Sequence, residues 1–108
     1  MRRLTVVQLL PSLHSGGVER STLEIAAALV AAGHRSVVIS AGGRLVPSLL
    51  EGGSEHIELA IGRKSLGAFA VMRQLRAALA QLRPDIVHAR SRLPAWQAWF
   101  ALRGLPAP

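Results

Sequence analysis

Two segments of this 108-residue chain combine residue types that bind anions and sugar hydroxyls. The first, Pro11-Ser-Leu-His-Ser-Gly-Gly-Val-Glu-Arg20, sets His14 and the pair Gly16-Gly17 between an apolar run and a helical pattern. Glycines let a backbone approach a ligand closely, and unbonded N–H groups at a helix start favour an anion. The second, Arg83-Pro-Asp-Ile-Val-His-Ala-Arg-Ser-Arg92, sets His88 near the end of a short apolar run, with Arg90, Ser91 and Arg92 just past it. A His and Arg cluster suits a phosphate or a sugar hydroxyl through charge-assisted hydrogen bonds. Neither segment completes a common nucleotide motif. The first loop lacks G-x-G-x-x-G and Gly-Lys-Ser/Thr, and Ser40-Ala41-Gly42-Gly43 stands where a dinucleotide fold carries an acid. The residues alone leave open a plain tight turn with Glu19 at the positive helix end, and a packed strand histidine beside solvated arginines. No His, Asp and Glu set has metal-ligand spacing, and no Ser-His-Asp arrangement is evident. His34 and His56 read as surface positions, and Trp96, Trp99 and Phe100 as packing residues of one helix.

The elements that hold these segments follow from periodicity. Residues 4–10 form an apolar, β-branched run that stops at Pro11, a strand. Val18, Thr22, Ile25, Ala26, Leu29 and Val30 recur at helical spacing up to Gly33. A second strand is expected over 35–41, a short helix over 45–50 with Pro47 in its first turn, and a third strand over 56–60. Ser65 reads as the N-cap of a helix that runs to Leu82 through Phe69, Met72, Leu75 and Leu79. A fourth strand over 85–89 and a helix over 94–102 follow. Apolar strands alternating with helices predict an α/β fold, a doubly wound, Rossmann-like parallel sheet of order 3-2-1-4. Ligands of such sheets bind beyond the strands' carboxyl ends, at the switch between strands one and four. Loops 11–17 and 88–94 then share one site. The final Leu105-Pro-Ala-Pro108 reads as a turn towards a further strand. The expectation is a single truncated domain over 1–108, with an unpaired sheet edge prone to self-association.

Composition narrows the chemistry. Half the residues are hydrophobic and none is cysteine, which excludes disulfides, thiolate metal sites and a cysteine nucleophile. No apolar run reaches the roughly 18 residues of a membrane-spanning helix. The charged start Met1-Arg2-Arg3 is followed by no cleavage-like site, so a cytoplasmic chain is expected. Residues 1–62 hold five Arg and five Glu, whereas 63–108 hold seven Arg, one Lys and one Asp, so the whole net charge of +7 lies in the second half. Such a face meets nucleic acid, an anionic membrane or a phosphorylated ligand. Codon bias explains the twelve Arg against one Lys, but not the asymmetry. A nucleic-acid partner is not expected, because no binding motif and no aromatics interleaved with the basic residues are present.

Three motifs in order resemble the amino-terminal, acceptor-side domain of family 4 glycosyltransferases of the GT-B fold. They are Pro11 with Gly16, Gly17 and Glu19; Gly33-His34 before the second strand; and Arg83 through Ser91. The resemblance implies transfer of a sugar, with retention, from a nucleotide-sugar co-substrate to a glycan or lipid-linked acceptor, as in lipopolysaccharide assembly, without a bound metal or other cofactor. It implies that Gly16 and Gly17 approach the donor diphosphate, and that His14, His88, Arg90 and Ser91 line the acceptor and sugar pocket. Relatives often have histidine where this chain has Arg90. The family's paired glutamates, eight apart, belong to a carboxyl-terminal donor domain and have no counterpart here, so a missing donor-domain partner and negligible activity of the chain alone are expected. Relatives dock on anionic membranes through a basic helix; Arg63, Lys64, Arg73 and Arg76 are the candidate membrane face, peripheral to the inner surface. A non-catalytic doubly wound binding module is the competing reading.

Overall fold

The computed structural model describes residues 2–14, 16–61, 68–90, 99 and 102. Strand β1 (Thr5–Leu9) leads to helix α1 (Gly17–Ala31), strand β2 (Arg35–Ser40), short helix α2 (Val46–Glu51), strand β3 (Glu55–Glu58), helix α3 (Ala68–Leu82) and strand β4 (Ile86–Ala89). The four strands form one parallel sheet in the order β3-β2-β1-β4, as the alternation of apolar runs and helices predicts. Trp99 and Leu102 are helical; the remainder of the expected last helix, Ser65 and the end of the chain lie outside the described residues.

Each face of the sheet buries one cluster. Val7, Leu9, Val37 and Ile39 meet Leu75 and Leu79 of α3, and Leu102 packs against the same cluster. On the other face, Val38 joins Leu10, Leu13, Ala26 of α1 and Leu49 of α2. Burying each such Val or Leu side chain contributes about 1.5–3 kcal/mol. The second face is the more polar: Gln8, Ser36 and Ser40 are buried there. Ser54 Oγ donates to Ser36 Oγ at 2.8 Å, so that hydroxyl pair satisfies itself.

The turns show why the elements begin and end where they do. Helix α1 closes through Gly33, whose φ of 87° is left-handed, with Gly33 N donating to Val30 O and His34 N to Leu29 O. At the opposite end of the sheet from the candidate site, Asp85 locks β1 to β4. Its carboxylate accepts from Thr5 N at 2.7 Å and from the Arg2 guanidinium, and its own N–H donates to Thr5 O. The Asp of the Arg83-Pro-Asp motif is thus a sheet tie. Three expectations are corrected. His34 is half-buried, its Nδ1 accepting from Leu4 N at 3.0 Å, and His56 is half-buried beside Ser40. Both imidazoles bridge loops and strands that periodicity does not relate. Trp99, expected in the core, is 54% exposed.

Candidate functional site

The strand order puts the switch point between β1 and β4, and three chain segments meet at its carboxyl side. The loop after β1 is clamped to the loop after β2. Ala41 N donates to Pro11 O at 2.8 Å, Leu13 N to Gly42 O at 2.9 Å, and Leu45 N to Leu13 O at 2.9 Å. A β-carbon on Gly43 would collide with the Leu13 backbone carbonyl, so this close approach requires glycine. Leu13 is fully buried and acts as the plug of the clamp, while the adjacent His14 is exposed. On the other side, Arg90 N donates to Leu9 O at 2.8 Å and extends the β4 pairing past Ala89.

The glycine pair behaves unevenly. Gly16 packs under the carboxylate of Glu19, which folds back over the helix start, and Arg20 N donates to Gly16 O at 3.0 Å. Gly17 begins α1 with open space where a β-carbon would stand. Nothing in the packing around it demands glycine.

Beneath the loop lies a buried polar network. Gln8 faces α1 from the central strand and is wholly inaccessible to solvent. Its Nε2 donates to Thr22 O at 3.3 Å and its Oε1 accepts from Arg90 Nε at 3.0 Å. The guanidinium reaches on to Ser21 Oγ at 3.3 Å through Nη1. Thr22 Oγ1 turns back onto Val18 O at 2.8 Å. Arg90 Nη2 is buried and has no hydrogen-bond partner among the described residues. The structure therefore brings Arg90 to the amino-terminal turns of α1, as the topology requires, but anchored in the sheet. His88 pairs in register with Gln8 and is exposed. Its ring has no hydrogen bond among the described residues. Ser91, Arg63 and Lys64 lie outside the described residues, while Arg73 and Arg76 are exposed on α3, away from this cluster.

Sequence reasoning missed Gln8, read simply as part of an apolar run. The signal was present: a lone amide in a central strand must find partners in the interior. It also missed a second cluster beyond β2 and β3. Ser40 Oγ lies 2.7 Å from His56 Nε2 and accepts from Gly42 N at 3.0 Å, leaving its proton for the imidazole. Burial pushes the His56 pKa down, and the nearby Glu58 opposes this only in part. Ser40 is wholly buried, which withholds it from any substrate.

Among the described residues, two further grooves are lined by other side chains. One lies between α1 and α2 around Leu23, Ala27 and Ser48, the other between α3 and the β2–β3 edge around Arg35, Glu55 and Gln81. Arg35 and Glu55 form a two-bond ion pair beside the second groove, at 2.6 and 2.9 Å. The pairing raises the arginine pKa and lowers that of the carboxylate, and its exposure limits its worth to about 0–1 kcal/mol. No helix among the described residues is long and apolar enough to cross a membrane.

Comparison with known proteins bears on the same segments. The model of a family described as Glycosyltransferase Family 4 matches residues 15–108. The crystal structure of a glycosyltransferase from Rickettsia africae ESF-5 superposes with a TM-score of 0.80 at 36% identity, covering 95% of this chain and 27% of that one. The chain thus spans about a quarter of that relative's length. No curated protein matches the chain.

Proposed function

The chain belongs to glycosyltransferase family 4, and from that membership we propose that it forms the acceptor-side half of a retaining transferase. In this reading a sugar passes from a nucleotide-sugar donor to a glycan or lipid-linked acceptor, in the cytoplasm. The observation that supports it most is the convergence of the 11–17 loop with β4 and Arg90 at the carboxyl side of the β1–β4 switch. Open-sheet folds bind ligands at that place. Gly17, open and without a packing reason to be glycine, lets the backbone approach the donor diphosphate. His14 and His88, both exposed and untethered among the described residues, offer hydrogen bonds to sugar hydroxyls, and Ser91 follows three positions after His88 in the sequence.

The reading also assigns limits. Glu19 covers Gly16 at the start of α1, and Glu58 lies against Gly42 on the loop clamped to residues 11–13. In this reading acceptor binding belongs to these 108 residues, and a donor-binding domain acts as partner. Amide chemical-shift mapping of the chain tests the placement, using free oligosaccharides and nucleotide-linked hexoses as probes. Perturbations should gather at residues 10–17, 41–45 and 88–90. Perturbations centred on the Arg2, Thr5 and Asp85 end of the sheet would refute it.

A further inference from the structure

We propose that neutral His56 is a positioning residue for the substrate end of the sheet: through Ser40 and Gly42 it holds residues 11–14 in place, and its protonation loosens them. The inference rests on the reading of the 11–17 loop as a substrate-binding segment. Hydrogen bonds run unbroken from β3 to that loop. His56 Nε2 lies 2.7 Å from Ser40 Oγ, Ser40 Oγ accepts from Gly42 N at 3.0 Å, and Gly42 O accepts from Leu13 N at 2.9 Å. Leu13 O in turn accepts from Leu45 N at 2.9 Å, so the relay ends in the clamp that seats the buried Leu13.

The proton positions follow from what each group can do. Ser40 is wholly buried, and its side-chain partners among the described residues are Gly42 N–H and the imidazole alone. Gly42 N only donates, so the hydroxyl proton has one acceptor, the bare Nε2 of neutral His56. Protonation makes Nε2 a donor, and two donors then face each other across the 2.7 Å contact. The enclosed hydroxyl must turn, and turning disturbs its bond from Gly42 N. That turn is tightly set: Gly42 has a left-handed φ of 94°, and Glu58 Oε1 lies 2.7 Å from where its β-carbon would stand. His56 is only half-buried, so solvent protons reach the ring. Burial opposes the charge on the imidazole, and Glu58, two residues on, attracts it. The elements around β3 bring few other charges. Arg35 of β2 is held by Glu55 at the far end of the strands, while Glu51 of α2, Arg44 and His14 are exposed.

The experiment follows the imidazole and backbone amide resonances of the 15N-labelled chain from about pH 7.5 to about pH 5.5, a range that spans the ordinary histidine value. A His14→Gln background removes the loop's own imidazole from the readout. The amides of Leu13, Gly42 and Leu45 should shift with the same midpoint as the His56 ring. Ser40→Ala should leave the ring titrating and uncouple those amides from it. His56→Gln, whose side-chain oxygen accepts the Ser40 proton at every pH, should hold them at their high-pH positions, and it keeps the test usable if Ser40→Ala does not fold. With His14 restored, nucleotide-linked hexoses and free oligosaccharides are the binding probes. Between the two pH values their affinity should fall about three- to tenfold further in the wild type than in His56→Gln, the worth of one hydrogen bond at a buried group. Amides that ignore the ring titration, or follow it equally in Ser40→Ala, overturn the proposal. An equal fall in affinity in the wild type and His56→Gln overturns the positioning role. Amides that follow the ring in a chain that binds neither probe would remove the substrate reading of the loop and keep the relay.

Discussion

At the scale of single residues, the informative ones are polar groups placed where they must be satisfied. Gln8, Ser36 and Ser40 interrupt an otherwise apolar face, and each is tied to a partner distant in sequence, Thr22, Ser54 and His56 in turn. None of these partners is legible from spacing, because a hydrogen bond from one strand to a helix or neighbouring strand leaves no local period. The site histidines divide the same way: His14 and His88 stand near the expected switch point, whereas His56 proves to be a half-buried partner of Ser40. That contact carries a pH prediction. Burial favours neutral His56 in the fold, so the unfolded chain takes up a proton that the fold resists. The His56 contribution is fully present above about pH 6.5, the ordinary histidine value, and is lost progressively as pH falls below it. Denaturant unfolding between pH 7.5 and pH 5 should show this loss, and His56→Gln should flatten it. An unchanged slope in the variant would place the pH dependence elsewhere.

Elements were far more legible than side-chain partners. Residues 4–10 and 35–41 read as strands because β-branched runs bounded by Pro and Gly are buried on both faces, and the structure trims each by a residue or two. β4 buries less of itself than β1 or β2: it is an outer strand of the described sheet, with Ile86 at 47% exposure, so only half of its apolar run meets the core. The loops connecting the elements depend on contacts between segments, which sequence order alone does not reveal. Gly43 is the clearest case, required by the Leu13 carbonyl thirty positions earlier. Replacing it with alanine should force the two loops apart and cost about 2–3 kcal/mol, the range for a strained or overpacked backbone position. Chemical denaturation would read this as a lower midpoint with an unchanged slope. A variant as stable as the wild type would mean that the clamp yields easily and does not hold the 11–17 loop in place.

At the scale of the molecule, the basic second half takes on a more specific meaning. Of its described charges, Arg90 is drawn into the switch-point network, Asp85 ties the far end of the sheet, Arg73 and Arg76 remain on the surface of α3, and Arg83 is exposed just past it. Net charge is therefore a poor guide to the site, whereas topology is a good one: the order β3-β2-β1-β4 alone brings residues 11–17 beside 88–90. The family match over residues 15–108 and the likeness to a glycosyltransferase of nearly four times this chain's span place the fold in glycosyltransferase family 4. The most direct measurement is sugar transfer by the product of the whole reading frame from UDP-, GDP- and ADP-linked hexoses, wild type against Gly17→Val. A β-carbon at Gly17 meets nothing in the fold, so the variant should keep its unfolding midpoint. It should nevertheless lose about tenfold or more in kcat/KM, because the donor diphosphate can no longer approach the backbone. Transfer at the wild-type rate by the folded variant, or no transfer from any of these donors, would contradict the account.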